Sequence, residues 1–283
     1  VTTFVGIYRE PECSPGRHLS NDALLLEQIA AELKARGAHV RLVTFEQAMA
    51  ERPSASLIFS MCQGPAALAA LAGWEREGAR IVNSPESALN TYRDHLPRLL
   101  AEAGVRFPRT RLVETASADW RTLPLDGPHW LKRGDVHASV SADVQRVDSR
   151  EALGEGLADF VARGITQAAI QEHRPGSEVK FYGVAGGAFF HWFFTSQVDD
   201  RAPDTTRLQH LGELAARAAG LDIFGGDIIV EPDGDLTLID LNDWPSFAPC
   251  RDAASEAIAD SLMRRVDAAW NPGLVPSADQ SAL

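Results

Sequence analysis

The stretch Ile223–Phe247, IFGGDIIVEPDGDLTLIDLNDWPSF, decides how the rest of the chain is read. It spells two β-strands around a tight turn. Asp227-Ile228-Ile229-Val230 is a β-branched run that an acid opens. Pro232-Asp233-Gly234 is turn chemistry: proline sets φ, aspartate bonds its own backbone, and glycine takes a positive φ. Leu236–Leu241 is a second apolar run with Asp240 inside it. Side chains alternate along a strand, so Asp240 and Asn242 leave the same face. Two carboxylates and an amide oxygen aimed one way are hard oxygen ligands, the set Mg²⁺ takes when phosphate oxygens complete its shell. A carboxylate in a strand that should be buried is costly without a partner, which argues for one at Asp240.

Composition bounds what surrounds this hairpin. With 283 residues, the chain has room for two or three lobes and a sizeable core. A net charge of −12 opposes nucleic acid as the main partner, because a phosphate backbone demands a basic surface. It leaves room for a nucleotide, which needs only a local basic pocket. Cys13, Cys62 and Cys250 stand far apart with no CxxC spacing, so reduced thiols, a cytoplasmic location and no zinc site are expected. No apolar run approaches a membrane span, so no membrane partner is expected. The chain enters a strand without a basic segment ahead of an apolar one, and a secretory signal is not expected.

From its start the chain alternates strands and helices. Thr3–Tyr8 reads as a buried strand, followed by a long polar loop, Arg9–Asn21. Asp22–Arg36 is an amphipathic helix with Leu25, Leu26, Ile29, Ala30 and Leu33 at helical spacing, ended by Gly37. Strands at Ala38–Thr44, Leu57–Met61 and Ala79–Asn83, with an Ala/Leu-rich helix between the last two, predict a parallel sheet with helices on its faces. Ligands of such sheets bind at the strands' carboxyl ends. Here those ends are Tyr8-Arg9-Glu10, Met61-Cys62-Gln63-Gly64 and Asn83-Ser84; Arg9, Arg17 and His18 either meet an anionic substrate or belong to an exposed, solvated loop. The dinucleotide fingerprint GxGxxG is absent after the first strand.

A helix near Ser87–Ala103 leads to a second region, which opens with a strand at Thr110–Val113. His129–Arg133 is a strand with Lys132 on the same face as Trp130, followed by a small-residue loop, Gly134–Ser139, and a return strand, Asp143–Val147. Helix Ser149–Arg163 and strand Ala168–His173 come next. Glu178–Val184 and Ala188–Phe194 form a hairpin around Gly186-Gly187. Arg207–Ala219 and Ala253–Ala269 are helices. Trp244 and Phe247 read as core. His137 and His191 are candidate phosphate donors, although a lone histidine is more often structural.

The order of these pieces resembles the ATP-grasp superfamily, and within it carboxylate–amine ligases similar to the ribosomal-protein glutamate ligases. The resemblance runs over residues 1–270, and its most specific part is D…DLN at Asp227, Asp240 and Asn242. It implies an N-terminal sheet domain (1–92), a small lid subdomain (93–170), a C-terminal subdomain with the metal site (171–270) and a flexible tail (271–283). It implies ATP and two Mg²⁺ ions as cofactors. Asp227, Asp240 and Asn242 then hold the metal, with aspartate where glutamate is commoner at Asp240. Lys132 is similar to the lysine that binds the α/β-phosphates, and Gly134–Ser139, with Gly134, His137 and Ser139, to the lid over the triphosphate. Gln171-Glu172-His173 resembles the hinge whose backbone groups read the adenine edge, and Lys180 the residue facing the γ-phosphate. Relatives tend to have Asp-Lys where this chain has Asp94-His95, with Arg93 and Arg98 adjacent. Either an arginine supplies that phosphate contact, the reading favoured here, or His95 does, or the contact is missing.

The resemblance implies a ligase that activates a carboxylate as an acyl phosphate for attack by an amine of an amino acid or peptide, with a homo-oligomer left open. Two alternatives stand beside it: a small-molecule kinase of the same fold, similar to the inositol phosphate kinases, and a non-catalytic ATP-binding protein.

Overall fold

The protein was analysed as a computed structural model, described over residues 2–14, 17–135 and 140–267. His137, Ser139 and the tail from Asn271 lie outside the described residues, as do the side chains of Arg17 and His18.

The first part runs β1 (Thr3–Ile7), α1 (Arg17–Ala35), β2 (His39–Val43), α2 (Phe45–Glu51), β3 (Leu57–Ser60), α3 (Pro65–Arg76) and β4 (Ile81–Val82). Its strands form a parallel sheet in the order β2-β1-β3-β4. Two sequence expectations need correction here. Residues 17–21 belong to α1, so the loop after β1 is shorter than its polarity predicts. A short helix, α2, also follows β2, capped by Thr44 and Gln47, each side chain accepting from the other's amide.

The link to the second region is α4 (Pro85–Leu89) and α5 (Leu96–Glu102), not one helix. Pro97 explains the break, since it lacks an amide proton and its ring opposes the carbonyl of Arg93 in a continuous helix. Arg93 sits in the break.

The second sheet is antiparallel, in the order β5-β8-β6-β7. It comprises β5 (Thr110–Glu114), β6 (His129–Arg133), β7 (Val144–Val147) and β8 (Gln167–Glu172), with α6 (Arg150–Ala162) packed on it. The third sheet has the order β10-β9-β11-β12. Its strands are β9 (Ser177–Val184), β10 (Phe189–Ser196), β11 (Ile223–Val230) and β12 (Leu236–Asp243). Helices α7 (Thr205–Ala219) and α8 (Arg251–Asp267) complete the chain. Among the described residues no helix is long and apolar enough to cross a membrane.

Both predicted hairpins form. Gly186 and Gly187 take φ of 78° and 70°, the two positive values a two-residue turn of this hand requires. In the second hairpin, β11 begins at Ile223, so Asp227 lies mid-strand rather than at its start. The glycines ahead of it serve packing: a Cβ on Gly226 would stand 2.3 Å from the carbonyl of Asp240 and 2.9 Å from the Phe181 ring.

One hydrophobic core ties the two ends of the chain together. Phe4, Leu25, Ile29 and Phe59 pack with Tyr182, Ile223, Trp244, Phe247 and Ile258. Trp244 and Phe247 are fully buried, as their sequence context predicts.

The close approach at Gly226 gives a stability test. Gly226→Ala is expected to cost about 1–3 kcal/mol, the range for overpacking a filled site. Urea denaturation reads that loss as a lower midpoint at unchanged slope.

Candidate functional site

The register of the third sheet assembles the acids. Asp227 on β11 lies opposite Asp240 on β12 and opposite Lys180 on β9. Directly paired residues share a face, so all three project from the same side. Between Asp227 and Ile228 the register against β12 slips, because Ile228 pairs with Leu238 and leaves Ile239 unpaired. This β-bulge turns two consecutive residues toward one side, and Ile239 and Asp240 both line the same cleft.

That cleft, of about 410 Å³, lies between the second and third sheets. Lys132, Trp130 and Gln171 line it from β6 and β8, and Glu178, Asp227, Ile229 and Asp240 from the third sheet. Arg93 enters from the break between α4 and α5. Glu172 and His173 lie at its hinge side. Its lining mixes apolar Trp130, Val144, Ile229 and Ile239 with charged Arg93, Lys132, Glu178, Asp227 and Asp240.

The charged side chains are held in pairs. Lys180 Nζ stands 2.7 Å from Asp227 Oδ1, and Arg93 reaches within 3.8 Å of Asp240 while donating to the carbonyl of Arg133 at 2.8 Å. Lys132 Nζ donates to the Ile239 carbonyl at 3.5 Å. Burial pushes the Lys132 pKa down, with Asp240 opposing and Arg93 reinforcing that fall. For Lys180, burial also opposes the charge, but Asp227 and Asp240 outweigh it and hold its pKa above the ordinary value. Burial raises the Asp227 carboxyl pKa, Lys180 pulls against it, and the like charge of Asp240 adds to the rise. Asp227 Oδ1 is buried without a hydrogen-bond partner, since the Lys180 contact is close but poorly angled.

A hard cation fits two facing carboxylates, Asp227 and Asp240, with the Asn242 amide two residues on. Among the described residues no three His, Cys, Asp or Glu side chains cluster to hold a metal by themselves. Phosphate and water oxygens would complete such a shell, as is usual for Mg²⁺.

Several expected residues take other places. Lys180 and Asn242 do not line the cleft itself; Lys180 is paired with Asp227 from β9, and Asn242 lies two residues farther along β12, opposite Gly225. The amide of Gly134 donates to Gln167 O at 2.9 Å, so it extends the sheet instead of offering a proton to phosphate. The amides of Glu172 and His173 are likewise spent on Arg109 O and Pro128 O, at 2.9 and 3.1 Å. His173 Nδ1 accepts from Trp130 Nε1 at 3.1 Å, and burial, with Arg146 nearby, lowers its pKa, so the ring is neutral. His95 pairs with Asp94 at 3.6 Å outside the cleft, and Arg98 pairs with Glu102 in solvent. Of these candidates Arg93 is the one that lines the cleft.

Sequence reading missed Glu178, Ile229, Arg174 and Ile239. Strand alternation from Lys180 and Asp227 finds the first two. Arg174 is held by Glu231, at 2.9 Å, whose other partners are Arg106 and Thr237. No local signal marks Ile239, because it reaches the cleft only through the bulge.

Charged and apolar side chains of two antiparallel sheets thus line one cleft. No family model and no curated protein matches the sequence. Solved structures do match. The D-alanine–D-alanine ligase from Bacillus anthracis complexed with ATP aligns at a TM-score of 0.70 and 12% identity, covering 94% of this chain and 99% of that one. A RimK domain ATP-grasp protein from Sphaerobacter thermophilus aligns at 0.67 and 18% identity, covering 92% and 99%. The ATP-grasp ligase PsnB complexed with a minimal precursor aligns at 0.64 and 17%, covering 92% and 99%. This chain has the ATP-grasp fold.

At the end of β12, Asp243 is fully buried and accepts from Asn83 Nδ2 at 2.5 Å. Burial raises its pKa to about 7, with Asn83 and Arg9 opposing. The folded state therefore keeps a proton that the unfolded chain releases near its ordinary value of 3.8. Stability from this group is full below that value and is lost as pH rises to about 7, by as much as about 4 kcal/mol. Denaturation of wild type and Asp243→Asn at about pH 4 and 7 is expected to show a steeper loss in wild type.

Proposed function

We propose that this protein is an ATP-dependent carboxylate–amine ligase using Mg²⁺. The observation that carries the reading is the pair Asp227–Asp240, facing Lys132 and Arg93 across one cleft in an ATP-grasp fold, with Lys180 paired to Asp227. The proposed reaction has two steps. A substrate carboxylate oxygen attacks the γ-phosphorus of ATP, breaking its bond to the bridging oxygen and releasing ADP. An amine then attacks the acyl carbon, forming the amide and expelling phosphate, with loss of one amine proton.

Asp227, Asp240 and Asn242 are assigned to the metal, which when bound neutralises charge at the β- and γ-oxygens. Lys132 is assigned to the α/β-phosphates and Lys180 to the γ-phosphate, where charge changes most. Gln171, Glu172 and His173 border the adenine end, whose apolar floor is Ile229 and Ile239. The kinase alternative requires a basic acceptor pocket, whereas the neighbouring cavity is lined by Glu10, Glu12 and Glu46 beside Arg133.

Turnover is tested by coupled ADP release over amino-acid and peptide pools, with mass spectrometry of products. A new amide is expected; a phosphorylated metabolite would point to the kinase, and ATP binding without turnover to a non-catalytic role. Asp240→Asn is expected to abolish ADP release with an unchanged melting profile. Lys132→Ala is expected to weaken ATP binding by calorimetry, and Lys180→Ala to reduce turnover more than binding.

The position of Arg93 yields a pH test. Arginine stays charged through neutrality, so ATP affinity is expected to be flat from about pH 6 to 8. Arg93→Gln is expected to weaken it about tenfold or more, the scale of a charge-assisted contact. An affinity that falls with pH in wild type but not in His95→Gln would move the contact to His95.

A further inference from the structure

Strand β12 lies at the edge of the third sheet, with β11 as its strand neighbour. An edge strand has ladder bonds on one side, and a slip of one residue would turn every side chain to the other face. The bulge at Ile239 divides this strand in two. From Phe224 opposite Asp243 to Asp227 opposite Asp240 the pairing is regular, and beyond the bulge it is offset by one residue. The turn at Pro232–Gly234 therefore does not set the register of the two carboxylates. The open end of the hairpin does.

The parallel sheet closes that open end. Asn83, just past β4, spends its whole side-chain amide there. Its Oδ1 accepts from the amides of Asp222 and Ile223 at 2.8 and 2.9 Å, and its Nδ2 donates to the Ile223 carbonyl at 2.7 Å and to Asp243 Oδ1 at 2.5 Å. It thus ties the start of β11 to the end of β12. Gln63, past β3, donates from Nε2 to the Asp243 carbonyl at 3.2 Å. Arg9, past β1, donates to the Trp244 carbonyl at 2.5 Å. The sequence offers Arg9 to an anionic substrate or to a solvated loop; it is instead buried and paired with Asp22 at 2.9 Å, which also accepts from Ser14 Oγ at 2.6 Å. Gln63 is itself held from behind. Glu10 accepts from the amides of Gln63 and Gly64, both at 3.0 Å, and Tyr92 Oη donates to the Gln63 carbonyl. Side chains from three strand ends of one sheet therefore converge on two consecutive residues, Asp243 and Trp244. Arg9, Gln63 and Asn83 are all buried, so a partner freed by substitution would not be satisfied by water.

Asn242 immediately precedes Asp243, and Asp240 lies two residues before that. We propose that Arg9, Gln63 and Asn83 are positioning residues, which hold β12 in the register that presents Asp240, opposite Asp227, and Asn242 to a divalent cation. This rests on the metal assignment proposed above and deepens it by making the parallel sheet part of the metal site's support.

Two conservative variants test the proposal in the full chain. Gln63→Leu removes one donor and leaves the backbone contacts of Gln63 in place. Arg9→Lys keeps a charge beside Asp22 and removes the fork that reaches Trp244. Mn²⁺ is titrated by electron paramagnetic resonance with saturating ADP, at a temperature where melting shows each protein folded. ADP affinity is measured separately by calorimetry in EDTA. Each variant is expected to bind Mn²⁺ about fivefold more weakly, below the roughly 10–100-fold effect of groups bonded directly to a ligand. ADP affinity without metal is expected to stay within about twofold of wild type, which a general loosening of the fold would not spare. Full Mn²⁺ affinity in either variant, or an equal loss of metal-free ADP affinity, would overturn the proposal. Mn²⁺ binding in wild type that both variants retain removes this inference alone. Wild type that binds ADP but no Mn²⁺ removes the metal assignment, and this inference with it.

Discussion

Two carboxylates held face to face are the constraint on which the site depends. Asp227 and Asp240 are directly paired across β11 and β12, an arrangement that like charges oppose. The bulge at Ile239 sets this pairing, and Gly226 lets the β12 carbonyl approach closely enough to keep it. The opposing charges come from separate parts of the chain: Lys180 from β9, Arg93 from the break between α4 and α5, and Lys132 from β6. The hairpin is therefore charge-balanced only when the second sheet and the linking segment are docked against the third. The proposed nucleotide and divalent cation suit such a place, because cationic side chains attract phosphate and carboxylates attract metal.

The parallel sheet is joined to this centre through the end of β12. Trp244 and Phe247 have φ of 42° and 49°, a conformation that bulky residues adopt only when packing imposes it. Trp244 packs near Phe59 and donates to the Val82 carbonyl at 3.3 Å, and Phe247 stacks near Tyr182. Gln63 donates to the Asp243 carbonyl at 3.2 Å, so the loop after β3 and the end of β12 share a contact. The parallel sheet and the cleft at Asp227 and Asp240 are thus fixed relative to one another by buried groups.

Much of this was legible in the sequence because it follows strand alternation and turn chemistry. The two hairpins, the common face of Asp240 and Asn242, and Lys132 beside Trp130 all come from period-two reasoning. What stayed hidden depends on distant partners or on a break in the period. Ile239 reaches the cleft through a bulge with no glycine to announce it. Glu10 reads as a loop acid until α3 is packed beside it, and Arg9 reads as a free cation until Asp22 and Trp244 enclose it. The interruption at Pro97 was written in the sequence, but the apolar periodicity on both sides concealed it. The amides of Gly134, Glu172 and His173 read as ligand donors locally, yet the second sheet and its borders use them.

The account's central claim is that Asp227 and Asp240 hold a divalent cation against a nucleotide in the cleft. Titration of Mn²⁺ by electron paramagnetic resonance, with and without ADP, tests it most directly in wild type and Asp227→Asn. The account predicts Mn²⁺ binding that ADP strengthens in wild type and that Asp227→Asn loses. Equal Mn²⁺ binding in the two proteins, or binding indifferent to ADP, would contradict it.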